Sequence, residues 1–212
     1  MKTERVNGLW VPANDIHIEQ WRSGKPLTQN KCLNSFISWC ESQHKKFRTV
    51  LDIGAWCGTW SLAMSPYCKK IHAFEPDSTH FDCLSKNVGS HVHIDPKMIA
   101  VGDNNNMIAL TNDDFTQAKR IEGPGNIQLH TVDSFNFTDV DLIKIDVEGY
   151  EMRVLKGAEN TLKRCQFLMI ELNNNSKKYQ SSNIEIEQYL EQMRFRTLIN
   201  IWPDKVFVNN NI

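Results

Sequence analysis

The chemistry legible in this chain lies in a few acids and the glycines between them. The run Thr49-Val50-Leu51-Asp52-Ile53-Gly54-Ala55-Trp56-Cys57-Gly58 leads from apolar residues to an acid and then to two glycines four apart. It reads as a buried strand, a tight turn and the start of a helix at Thr59. Glu75, 23 residues beyond Asp52, closes a second apolar run, Lys70–Phe74, and is followed by Pro76-Asp77. That layout builds a nucleotide site at the edge of a parallel sheet. A dinucleotide fingerprint needs a second glycine two residues after Gly54, where the backbone meets a pyrophosphate. Trp56 stands there instead. Asp-x-Gly-x-x-x-Gly suits an adenosyl ligand without phosphates, S-adenosylmethionine. In this reading Asp52 accepts from the ammonium of the methionine moiety, directly or through water. Gly54, Trp56, Gly58 and Thr59 form the turn around it. Glu75 takes both ribose hydroxyls, Pro76 turns the chain away, and Asp77 or Ser78 lies beside the adenine.

A second constellation is Asp141-Leu142-Ile143-Lys144-Ile145-Asp146-Val147-Glu148-Gly149-Tyr150-Glu151. On a strand, residues 144, 146 and 148 point the same way. A lysine and two acids on one face of an apolar strand are costly unless paired and used. Asp146 falls at the C-terminal strand end, where open α/β sheets place ligands. Glu148 and Glu151 also suit the positive end of the helix that follows. Glu171 ends another apolar run, Phe167–Leu172. The donor site predicts a methyl transfer by in-line displacement, with Glu171 placed to orient a substrate hydroxyl or take its proton. The sulfonium activates the methyl group, so the protein supplies alignment. Glu148 or Glu171 removes the hydroxyl proton, and Asp146 holds donor or acceptor. A variant places a divalent cation on Asp146, Glu171 and Asn173, but no compact motif demands it and no metal site is expected. His91 and His93 lack a third ligand and read as surface residues.

These groups need a scaffold. Short apolar runs alternate with helical patterns from Thr49 onward, which predicts an α/β sheet, mostly parallel and covered on both faces. Expected strands are Val50–Ile53, Lys70–Phe74, His91–Ile94, Met98–Val101, Ile108–Leu110, Ile127–Val132, Val140–Val147 and Phe167–Leu172. Arg196–Ile201 and Lys205–Val208 form an antiparallel hairpin at one edge. Helices are expected after Gly58, from Asp77 to Asn87, over Tyr150–Lys163 and over Asn183–Met193. Residues 112–126 read as an exposed loop and 173–182 as polar and aperiodic. Residues 1–28 read as irregular. Leu33, Phe36, Ile37 and Cys40 mark a helix over Gln29–Ser42. Residues 1–48 are therefore a helical flap on a methyl-donor domain of residues 49–212. Acceptor selectivity is expected from the flap and from loops 112–126 and 173–182.

Composition narrows the classes. The 212 residues suit one α/β domain, and 41% hydrophobic with 23% charged residues is ordinary for a soluble globular protein. A formal charge of −1 provides no basic field for nucleic acid. No apolar run of about 18 residues predicts a membrane span, and Met1–Arg5 has no signal-peptide shape behind it. Six cysteines without a Cys-x-x-Cys pair indicate reduced thiols and a cytoplasmic location. Two other readings stay open: a non-catalytic adenosyl-binding module, and an RNA ribose O-methyltransferase. Trp56 argues against a nicotinamide dehydrogenase. Oligomeric state is not readable.

These residues together resemble the FkbM family of S-adenosylmethionine-dependent methyltransferases. The resemblance rests on Val50–Gly54 with Gly58, Ala73-Phe74-Glu75-Pro76, Ile99-Ala100-Val101, Thr131–Phe135, Leu142–Glu151, Val154–Ala158 and Ile170-Glu171. It covers roughly residues 49–172, and the Lys-Ile-Asp-Val-Glu-Gly block is its specific part. It implies a Rossmann-like class I methyltransferase fold with a seven-stranded sheet whose last pair is the antiparallel edge. It implies a hydroxyl acceptor on a sugar, glycan or small metabolite, and it supports Ala100 as a neighbour of the adenine. Trp56 and Cys57 are bulky for this turn and imply a narrow methionine pocket. The Asn-rich loop after Glu171 leaves little material for a substrate lid.

Overall fold

A computed structural model describes residues 2–13, 18, 22–23, 30–111 and 121–212. The chain opens with an antiparallel hairpin, β1 (Thr3–Val6) and β2 (Leu9–Pro12), in a stretch that reads as irregular. Its two-residue loop, Asn7-Gly8, has positive φ at both positions (49° and 88°). That is the demand of a primed hairpin turn, and Asn-Gly meets it. Helix α1 (Asn30–Ser42) follows, its apolar stripe turned inward. Phe36 lies 6.0 Å from Phe47 and 5.9 Å from Phe167, centroid to centroid, so α1 packs on the sheet itself.

The alternation continues through β3 (Phe47–Ile53), α2 (Thr59–Met64), β4 (Cys68–Phe74), α3 (Ser78–Val88) and β5 (Ile94–Lys97). A small satellite sheet comes next: β6 (Ala100–Val101), β7 (Asn106–Leu110) and β8 (Ile121–His130). Then come β9 (Val140–Ile145), α4 (Glu151–Lys156), α5 (Glu159–Leu162), β10 (Phe167–Glu171), α6 (Asn183–Gln192), β11 (Phe195–Ile201) and β12 (Asp204–Asn209). The main sheet has seven strands in the order β11-β12-β10-β9-β3-β4-β5. β5, β4, β3, β9 and β10 are parallel, and β12 and β11 close the edge antiparallel. This is the mostly parallel class I sheet with its edge hairpin.

Alternate strand residues feed two cores, one on each face. Leu51, Ile53, Ile143, Ile145 and Leu168 meet Val154, Leu162, Ile186 and Leu190 from α4 to α6. Val50, Leu142, Met169 and Val206 meet Phe36 of α1, Trp60 and Met64 of α2, and Leu84 of α3.

Further expectations need correction. Of the loop expected over residues 112–126, Ile121–Asn126 belong to β8, with Gly123-Pro124-Gly125 inside the strand; residues 112–120 lie outside the described residues. The helix expected over Tyr150–Lys163 is broken at Gly157, whose added Cβ would sit 1.8 Å from the Gly102 carbonyl oxygen. Close approach of Gly102 allows no side chain at that point, and the helix yields. His91–Ile94 contributes only Ile94 to a strand, with β5 running on to Lys97. Among the described residues no helix is long and apolar enough to cross a membrane.

Candidate methyl-donor site

The parallel strands end together, and their C-terminal tips frame a cavity of about 260 Å³. β3 delivers the glycine turn. Gly54 has φ +78°, and a Cβ there would lie 1.7 Å from the backbone oxygen of Asp146. The tips of β3 and β9 can meet this closely only at a glycine. Asp146 N–H donates to the Ile53 carbonyl at 3.0 Å, extending the pairing past the strand end. Trp56 adopts φ +48° and Gly58 φ +83°. A left-handed tryptophan is unusual and persists only where its surroundings impose it.

Glu75 imposes part of it. Its carboxylate is almost fully buried and accepts from Trp56 N–H at 2.9 Å through Oε2 and from Asp77 N–H at 2.9 Å through Oε1. His80 Nδ1 stands 3.7 Å from Oε1. The acid is thus fixed at the tip of β4 with lone pairs still available toward the cavity. Pro76, Ile99, Ala100 and Val101 add an apolar wall beside it.

The other end of the cavity is acidic. Asp146, Glu148 and Glu171 each offer an oxygen within 4.8 Å of the others. Glu148 sits at φ +56° and the following Gly149 at φ +111°, a turn that directs the Glu148 carboxylate to Asn175 Nδ2 at 2.9 Å. Glu171 accepts from Asn173 Nδ2 at 2.7 Å, and Asn173 Oδ1 accepts from Asn175 N–H at 3.0 Å. The Asn-rich loop therefore holds both acids. Burial, and then the Asp146 charge, raise the pKa of Glu148 against the opposing Asn175 and Asn173 hydrogen bonds. Burial raises that of Glu171 more strongly, reinforced by Asp146, Glu148 and Asp204. Asp204, opposite Glu171 across β10 and β12, is pushed up to about 7 by burial and by Asp146, against the pull of Lys144.

Lys144 stands beneath these acids. Its ammonium donates to the Gly54 carbonyl at 2.6 Å and lies 3.2 Å from Asp52 Oδ1 and 3.6 Å from Asp146 Oδ2. Burial opposes its charge, but Asp52 and Asp146 overcome burial and raise its pKa.

Of the expected site residues, Gly54, Trp56, Thr59, Glu75, Pro76 and Ala100 line one part of the cavity, and Asp146, Glu148 and Glu171 the other. Three stand behind the wall. Asp52 is the chief correction: it has no exposed surface, and its oxygens meet Ser61 Oγ at 2.6 Å and Lys144. The register that pairs Asp52 with Lys144 across β3 and β9 turns its side chain under α2, and it does not line the cavity. Gly58 packs on α3, where an added Cβ would lie 2.7 Å from Leu84 Cδ1. Asp77 caps α3, accepting from Thr79 N–H at 2.9 Å and His80 N–H at 3.0 Å. The sequence reading gave no role to His80, Tyr150 and Asp204. His80 was findable from its i+3 position after a helix cap, and Tyr150 stands in the Leu142–Glu151 block; Asp204 carries no local signal.

The hexuronic acid methyltransferase AglP of Haloferax volcanii is 26% identical over 138 residues, 57% of this chain and 54% of AglP, so the match spans about half the length of that relative. The N-methyltransferase NodS of Bradyrhizobium japonicum WM9, solved with S-adenosyl-L-homocysteine, superposes with a TM-score of 0.52 at 11% identity, covering 90% of this chain and 91% of NodS. Streptococcus pneumoniae Sp1610, solved with S-adenosyl-L-methionine, gives 0.51 at 15% identity, covering 82% of this chain and 72% of that one. At these identities the two structures speak for the fold alone. Residues 46–197 match the methyltransferase FkbM domain, most of the chain, and the chain belongs to that family.

Proposed function

We propose that this protein transfers the methyl group of S-adenosylmethionine to a hydroxyl oxygen of a sugar, glycan or small metabolite. S-adenosylmethionine is the donor the family implies, and the residues present fit it. An apolar wall at Pro76 and Ile99–Val101 accepts an adenine face, and the buried Glu75 carboxylate accepts from a ribose diol. Lys144 is the one permanent cation among the described lining residues, and it is engaged by Asp52 and Asp146, which leaves nothing to neutralise phosphates. Bound there, the donor supplies an already activated methyl group.

The observation that carries the proposal is the cavity's polarity: a diol-binding acid at one end and three clustered acids at the other. Gly54, Trp56 and Thr59 hold the methionine moiety between them, with Gly58 and Asp52 supporting the turn from behind. Asp77, through its cap, sets the chain beside the adenine. Asp146, at the junction of β9 and the glycine turn, orients donor and acceptor. Glu148 takes the hydroxyl proton. Its raised pKa brings it nearer the working pH, where a general base is most effective. Glu171, raised further, stays protonated and donates a hydrogen bond to the acceptor or to Asp146. The sugar-directed activity of AglP favours a glycan among hydroxyl acceptors.

The test is transfer of an isotopically labelled methyl group to a panel of free sugars, glycosides, amines and RNA, with products resolved by mass spectrometry. A stable methyl ether supports the proposal, and the rate is expected to survive a strong chelator. Label found only on nitrogen or on RNA would overturn it. Donor binding with no acceptor in any class would point to an adenosyl-binding module.

A further inference from the structure

The N-terminal hairpin lies outside residues 46–197, yet it is tied to the donor-side turn through one side chain. Asn87, near the end of α3, makes three hydrogen bonds. Its Oδ1 accepts from Trp10 N–H at 2.7 Å, and its Nδ2 donates to the Trp10 carbonyl at 2.8 Å and to the Cys57 carbonyl at 2.8 Å. The first two reproduce the pairing of one strand residue with another, so β2 docks on α3 as though on a strand. The third reaches into the turn between Gly54 and Gly58. Around this point Val6, Val11, Cys57 and Cys83 form a small buried cluster against which Trp10 and Trp56 pack. Lys86 Nζ lies 4.7 Å above the Trp10 ring, within cation–π range.

We propose that Asn87 is a positioning residue for the methyl donor: it clamps the Trp56-Cys57 turn between the hairpin and α3, and so sets the shape of the methionine pocket. This rests on the donor reading above. Within the turn Gly58 N–H closes on the Ala55 carbonyl at 2.8 Å, but neither end of that bond belongs to Trp56, which sits at positive φ. Such a conformation must be fixed from outside. Glu75 fixes its N–H side and Asn87 its carbonyl side, from residues 19 and 30 positions away in sequence. Only a side-chain amide of this length performs all three contacts. Aspartate keeps the acceptor but loses both donor bonds and turns a charge toward two carbonyls. Serine is too short to span them.

The experiment compares wild type with Asn87→Asp and Asn87→Ser by calorimetry with S-adenosylhomocysteine and by amide hydrogen exchange over residues 55–58. Ile186→Val, in the opposite core, controls for a general loss of stability. Both Asn87 variants are expected to weaken binding about tenfold or more and to raise the donor KM by the same factor. The kcat at saturating donor changes less than about twofold. Exchange in the turn quickens about tenfold with or without ligand, while Ile186→Val moves neither readout. Unchanged binding and exchange in either folded Asn87 variant would overturn the proposal. If wild type itself fails to bind, the donor reading falls, and the turn's exchange rates still decide whether Asn87 clamps it.

Discussion

Lys144→Met tests the buried charge arrangement beneath the cavity. Asp52 has no exposed surface, its Oδ2 is engaged by Ser61, and its Oδ1 has no hydrogen bond among the described residues, only the Lys144 ammonium at 3.2 Å. Removing the cation leaves a carboxylate in the interior without a counter-ion. Breaking a buried pair from one side costs about 3–5 kcal/mol, because the remaining charge stays desolvated. For a chain of this size each kcal/mol moves Tm by about 2–4 °C, so a fall of about 6–20 °C is expected in thermal unfolding followed by circular dichroism. Asp52→Asn in the same background removes the stranded charge while keeping an acceptor for Ser61, and is expected to recover at least half of the loss. A single variant within about 1 kcal/mol of wild type, or a double variant bearing the full sum of both losses, would refute the reasoning.

Glu75→Ala removes the acid that fixes the Trp56 and Asp77 amides and that we propose binds the ribose diol. Charged hydrogen bonds contribute about 1.5–3 kcal/mol each, so S-adenosylhomocysteine should bind at least about tenfold more weakly by calorimetry; equal affinity would place the diol elsewhere. Glu148→Gln should lower kcat by about 10²–10⁴ and abolish the acid limb of its pH profile, with donor affinity unchanged. A retained limb would move the base role to another acid. Asp204, pushed up to about 7 by burial and Asp146, holds a proton in the folded state that it releases when unfolded. Its contribution is complete below the unfolded value near 4 and is lost as pH rises to about 7, at roughly 1.4 kcal/mol per pH unit. Urea titrations of Asp204→Asn across pH 4–7 should show a flatter stability profile than wild type, and parallel profiles would contradict this.

What the sequence disclosed and what it withheld divide along one physical line. Period and punctuation are local, so the parallel strands, the glycine turn, Glu75 at the tip of β4 and the edge hairpin were all legible before any coordinates. The Asn7-Gly8 hairpin carries an equally local signal, a dipeptide that demands its turn, which the irregular reading of residues 1–28 passed over. Depth is not local. Asp52 sits at a strand end where a ligand-facing acid is expected, yet cross-strand register sets it beside Lys144 and turns it under α2, where Ser61 holds it. Alternation along a strand put Lys144 among acids, but β9 ends at Ile145 and Glu148 sits at φ +56°, so Asp146 and Glu148 join it through the turn, and which acid the lysine serves was not legible. Lys144 contacts both Asp52 and Asp146, and its third bond, to the Gly54 carbonyl, ties this charge to the turn itself. Asp204 joins the same group from β12, more than thirty residues after Glu171, through a register that no single-sequence period specifies. The acid of the glycine turn therefore works through the lysine: it fixes the cation that draws the tips of β3 and β9 together, while the half-buried Glu148 and Glu171 line the cavity beyond Asp146.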